Sequence, residues 1–141
     1  ETVLKNLENI QGDEADLVII SIGYTKDTAL SMTYVGRPGG RNALNVAMVD
    51  IQPTRILDNE SVDFIKECIF SNALVKGKCA LELEEINNKL KEIETKFGRT
   101  KTDDAKGNIV LDLDLLKYDN IILHERDWKK GYINVLLEEL R

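Results

Sequence analysis

Two aspartates, Asp112 and Asp114, interrupt an aliphatic run of Val110, Leu111, Leu113, Leu115 and Leu116 in the stretch GNIVLDLDLLKYDN. In an extended chain, residues two apart point to the same side, about 7 Å from one another. Like charges so placed repel, and burying either carboxylate is expensive. Either that face of the strand is wet, or the pair holds a cation. The surroundings favour the cation. Arg99, Lys101 and Lys106 gather in the loop before the strand, Glu94 lies one turn from the end of the preceding helix, and Asn72 falls on a strand expected alongside. Paired carboxylates with nearby cations suit magnesium–phosphate chemistry: the acids hold the metal, the metal bridges phosphate oxygens, and Lys or Arg neutralises the remaining charge. Two ions would serve both the attacking and the leaving oxygen.

Elements must bring these residues together. LVIISIG (Leu17 to Gly23) reads as a buried strand, NALNVAMVDIQP as a second one closed by Pro53, and CIFSNALVKGKC as a third. The clearest helix has Leu83, Ile86, Leu90, Ile93 and Phe97 at three- and four-residue intervals, with Gly98 where a C-cap belongs. The aspartate strand follows a polar loop, and DWKKGYINVLLEEL closes the chain as an amphipathic helix. Val3, Leu4, Leu7 and Ile10 predict an N-terminal helix, Thr28 to Val35 a short one, and Arg55 to Glu67 a long loop with one helical turn. The order β-α-β-β-α-β predicts an α+β, ferredoxin-like βαββαβ sandwich: an antiparallel sheet with helices packed on one face and extra terminal helices.

A length of 141 residues suits one domain, with residues 1–16 as a helical extension. The net charge of -6 argues against a general nucleic-acid binder, though a metal can still bridge carboxylates to a nucleotide. No apolar run reaches the roughly 18 residues of a membrane span, and no secretory leader is evident. Cys68 and Cys79 lack a CxxC spacing and read as reduced thiols. The expectation is a cytoplasmic protein, a monomer or weak homodimer, with no nucleic-acid or membrane partner. GRPGGRN, with Arg37 and Arg41, lacks the Gly-Lys-Ser/Thr ending of a phosphate loop and reads as a turn.

FSNALVKGKCALELEEINNKLKEIETKFGR followed by VLDLDLLKYDN resembles the 6-hydroxymethyl-7,8-dihydropterin pyrophosphokinases of folate biosynthesis. That family shows an aromatic-x-Asn strand, matched by Phe70 and Asn72, and a helix ending in Ile-Glu, matched by Ile93 and Glu94. Gly98 and Arg99, a basic loop, and Asp112 to Asp114 follow in the family's order and spacing. VIISIG is similar to its first strand. The resemblance implies transfer of pyrophosphate from ATP to a reduced pterin, releasing AMP, with two Mg ions held by Asp112 and Asp114. It implies that Phe70, Asn72 and Tyr132 bind the pterin. Arg99 and Lys101 would act on the triphosphate, and Glu94, Lys130 and His124 would join them in binding the nucleotide.

Departures from the pattern stand beside these matches. The family usually carries an arginine where this chain has Ile109, a tryptophan in the basic loop, and a Pro-His pair beyond the aspartates. The Gly-Ser-Asn turn after the first strand reads Gly23-Tyr24-Thr25 here. His124 is either a substitute for the missing histidine or a surface residue. Two rival readings follow: a non-catalytic relative that keeps the pterin pocket as a binding or regulatory module, and an unrelated ferredoxin-like domain whose aspartates only solvate a sheet.

Overall fold

The computed structural model describes residues 14–25, 44, 47–61, 68–105, 109 and 111–140. The helices expected over Val3–Ile10 and Thr28–Val35, the GRPGGRN turn and Lys106 lie outside these residues. In chain order the elements are β1 (Ala15–Thr25), β2 (Met48–Pro53), β3 (Leu57–Ser61), β4 (Cys68–Cys79), α1 (Leu83–Lys96), α2 (Lys101–Ala105), β5 (Asp112–Tyr118), β6 (Ile121–Ile122) and α3 (Gly131–Glu139). A 3-10 turn, Asp127–Lys129, precedes α3.

Among the described residues all ladders are antiparallel, in the order β2-β4-β1-β5-β6, with β3 continuing along the same edge of β4 as β2. This is the α+β, ferredoxin-like fold. The β-branched run Val18, Ile19, Ile20 and Ile22 suits a central strand buried on both faces, and β1 takes that place between β4 and β5. Arg55 to Glu67 departs from the loop expectation, because Leu57–Ser61 pairs with Cys68–Asn72. Thr54 makes this possible after Pro53: its N–H donates to Leu74 O at 2.8 Å, and its Oγ1 accepts the Leu74 N–H at 2.9 Å.

Helices cover both faces rather than one. Even-numbered residues of β1, such as Ile20 and Ile22, join Leu113 and Leu115 under α1, where Ile86, Leu90 and Ile93 complete the larger core. On the other face Ile19, Leu74 and Leu116 meet Ile133, Leu136 and Leu140 of the α3 region. The C-terminal helix begins later than DWKKGYINVLLEEL suggests, since Lys130 is extended (ψ 139) and separates the 3-10 turn from α3. Trp128 is fixed in that turn by donating Nε1–H to Leu123 O at 2.9 Å. Gly98 ends α1 with φ +93, a conformation that a side chain would strain.

Candidate functional site

Antiparallel register decides what meets what. Gly23 lies opposite Asn72 on one side and Asp112 on the other; Ser21 lies opposite Leu74 and Asp114. Residues directly opposite share a face, so Asn72, Gly23 and Asp112 form one row across three strands. Leu74, Ser21 and Asp114 form the next. Phe70, opposite Thr25, extends the same face. The two aspartates therefore do share a side, and Asn72 is two strands from Asp112. Gly23, having no side chain, admits its neighbours over the row. A Cβ there would come within 2.5 Å of Phe70 Cε1 and 3.2 Å of Asn72 Oδ1, so both side chains lean over the glycine.

α3 covers only part of this face. Its apolar residues sit over Ile19, Leu74 and Leu116, and Tyr132 packs against this cluster at its boundary, near Ser21. Burial pushes the Tyr132 phenol above its ordinary range, against the Ser21 hydroxyl and the Lys130 charge, which pull it down. Lys130 Nζ pairs with Asp127 Oδ1 at 3.1 Å. His124 has φ +52 and brings Nε2 to 4.0 Å from Asp114 Oδ1. Lys101 is exposed at the first residue of α2, two positions beyond Arg99.

The carboxylates differ sharply. Asp114 is raised from 3.8 to about 7, first because burial disfavours its charge, then because Asp112 repels it and shares a hydrogen bond with it. Asp112 Oδ1 instead accepts from Arg99 Nη1 at 2.8 Å. Burial works against the Arg99 charge, but Asp112, Glu94 and Asp104 override it and hold the guanidinium above its usual range. Arg99 Nη1 also reaches Leu111 O at 3.2 Å and Glu94 Oε2 at 3.1 Å, and Nε contacts both Asp104 oxygens. Glu94 is buried behind this arrangement and accepts the Leu113 N–H at 2.7 Å.

Among the described residues no group of three or more His, Cys, Asp and Glu side chains gathers as a metal site. Two carboxylates suffice for magnesium when phosphate oxygens and water complete the shell. A pair so crowded that one member resists ionising is the donor set a divalent cation would relieve. Sequence reasoning missed Ser21, Asp104 and Asp127. Only Asp127, three residues before Lys130, carried a local signal; Ser21 and Asp104 are selected by register and by the α1–α2 turn.

The sequence profile of the 7,8-dihydro-6-hydroxymethylpterin-pyrophosphokinase family matches residues 39–141. A folate synthesis bifunctional protein of Arabidopsis thaliana is 32% identical over 93 residues, covering 60% of this chain and 19% of that protein. Uncharacterized ATP-dependent helicases of Mycoplasma genitalium and Mycoplasma pneumoniae are each 47% identical over 45 residues, 32% of this chain and 4% of theirs. The chain thus spans less than a fifth of the length of each of these relatives. The family match begins after β1, although β1 supplies Ser21 and Gly23 to the row. No helix among the described residues is long and apolar enough to cross a membrane.

Proposed function

From the premise that the chain belongs to the 7,8-dihydro-6-hydroxymethylpterin-pyrophosphokinase family, we propose that it transfers pyrophosphate from ATP to the hydroxymethyl group of a reduced pterin. AMP is released, and the product enters folate biosynthesis. The observation that carries this reading is the row Asn72–Gly23–Asp112, with Asp114 in the next row of the same face.

In this reading Asp112 and Asp114 would hold the magnesium, two ions by the family resemblance, that accompanies ATP. When bound, the metal neutralises phosphate charge and orients the transferred group. Asn72, which is buried beside Gly23, offers an amide to the pterin edge, and Phe70 and Tyr132 form the walls of its pocket. Lys101, Lys130 and His124 supply positive charge or donors to the triphosphate. Arg99 acts from the Asp112 side, where it already balances a carboxylate, and Glu94 supports it there. Little covalent chemistry is asked of the protein; holding the hydroxymethyl oxygen in line with the β-phosphorus supplies most of the acceleration. A cytoplasmic monomer or weak homodimer suits the role.

One observation favours a second reading, a pterin- or nucleotide-binding module without catalysis. Ile109, where the family usually has arginine, is buried, and its carbonyl accepts the Thr25 N–H at 2.9 Å. That position contributes no charge to a triphosphate. Calorimetry with a non-hydrolysable ATP analogue, with and without Mg, separates the two. Metal-dependent binding lost in Asp112→Ala and Asp114→Ala, followed by AMP release with the reduced pterin, supports the enzyme. Pterin binding without nucleotide response supports the module, and silence toward both defeats each reading.

A further inference from the structure

The acidic pair rides on a strand whose outer edge is open. β6 pairs with Lys117 and Tyr118, and the Leu123 N–H that follows it donates to Leu116 O at 2.9 Å, so among the described residues no strand flanks Asp112–Leu115 on that side. An unpaired edge carrying two repelling carboxylates has every reason to fray or twist. Glu94 occupies that edge. Its Oε2 accepts the N–H of Leu113, the residue between the two aspartates, and the same oxygen lies 3.1 Å from Arg99 Nη1. Arg99 Nη1 then grips Leu111 O and Asp112 Oδ1. One ion pair thereby holds three consecutive residues, 111 to 113, from outside the sheet.

Helix termination does not require this side chain. The Glu94 backbone carbonyl, not its carboxylate, receives the N–H groups of Phe97 and Arg99 that end α1. The carboxylate is 6% exposed and is spent on Leu113, Arg99 and the more distant Lys91 at 3.5 Å. Resting on the reading that Asp112 and Asp114 take a divalent cation with ATP, we propose that Glu94 is a positioning residue: braced with Arg99, it fixes the free edge of β5 and so sets the affinity for metal–nucleotide through the geometry of the two aspartates. Outer-shell groups of this kind typically change metal affinity by 10- to 100-fold when removed.

The test uses the full chain, Mn2+ with a non-hydrolysable ATP analogue, calorimetric binding, and amide exchange at Leu113. Glu94→Ala should weaken Mn–nucleotide binding on the order of 10- to 100-fold and release the Leu113 amide to fast exchange. Glu94→Gln keeps a carbonyl oxygen for that amide and should rescue both, to within roughly fivefold of the parent. Lys91→Ala, which removes the exposed partner of Glu94, should leave Leu113 exchange within about threefold. Unchanged binding in Glu94→Ala overturns the proposal, as does lost affinity with Leu113 still protected, since Glu94 would then act at the ligand directly. If Glu94→Ala does not fold, the glutamine variant decides: rescue supports the brace, and a tenfold or greater loss with Leu113 protected overturns it. If the parent chain takes up no Mn–nucleotide, it is the reading of the site that fails. The brace is then judged on exchange alone, supported by slow Leu113 exchange in parent and Gln but fast in Ala, and overturned by equal rates.

Discussion

Under α1 the sheet presents Ile20, Ile22, Leu113 and Leu115 to Ile86, Leu90 and Ile93, while one residue along the same strands the other face presents Ser21, Gly23, Asp112 and Asp114. The first face is dry and continuous. The second is apolar where α3 lies on it and mixed beyond Tyr132, where Phe70 stands beside Asn72 and the two aspartates. Both depend on the same backbone ladder, so the apolar face supplies the rigidity with which the other holds two carboxylates that repel. The comparison shows why the aspartates survive on an aliphatic strand: their neighbours in sequence point the other way.

The sharpest way to break this division of labour is to remove the acidic pair. Asp112→Asn with Asp114→Asn should lower AMP release at least about 1,000-fold, corresponding to several kcal/mol of lost charge stabilisation, while the melting temperature holds or rises. A fall in stability would show that the pair serves the fold. The converse variant, Leu90→Ala on the closed face, should cost about 2–5 kcal/mol in urea unfolding and leave metal–nucleotide affinity of the folded fraction unchanged. Gly23→Ala tests the boundary. Its methyl would displace Phe70, so about 1–3 kcal/mol of overpacking should show as weaker pterin binding, with nucleotide binding retained.

A fourth effect is on pH. Asp114 binds its proton more tightly in the folded chain than in the unfolded one, where it titrates near 3.8. Between about pH 4 and 7 the folded state therefore carries the extra proton, and stability falls as pH rises through that window. In thermal unfolding of the metal-free protein this should appear as a decline of several degrees that levels off above about pH 7. Asp114→Asn should flatten it; a slope that persists would place its origin elsewhere.

Individual elements show how far the chain itself can be read. The stripe from Leu83 to Phe97 and the glycine after it announce α1 within one residue, because helical periodicity and a left-handed cap are local properties. β4 was legible as Cys68–Cys79 for the same reason: its signal is its own composition. β3 was not, since LDNES has no apolar alternation and becomes a strand only by adding to the edge of β4. α2, in the polar loop after Arg99, likewise escaped. In the site, the shared side of Asp112 and Asp114 followed from strand alternation alone. That Asp112 faces Gly23 and Asn72, and that Glu94 lies at the edge of β5, did not.

What the sequence determined by itself is whatever a short window controls: the helix stripe, the alternation that pairs the two aspartates, and the ordered motif that marks the family. What only the tertiary structure decided is register, coverage and edge. Register selects which residues of β1 and β4 stand beside Asp112, α3 chooses how much of the polar face stays open, and Arg99 becomes a shared clamp rather than a free cation. These depend on contacts between residues far apart in the chain, and no local propensity encodes them.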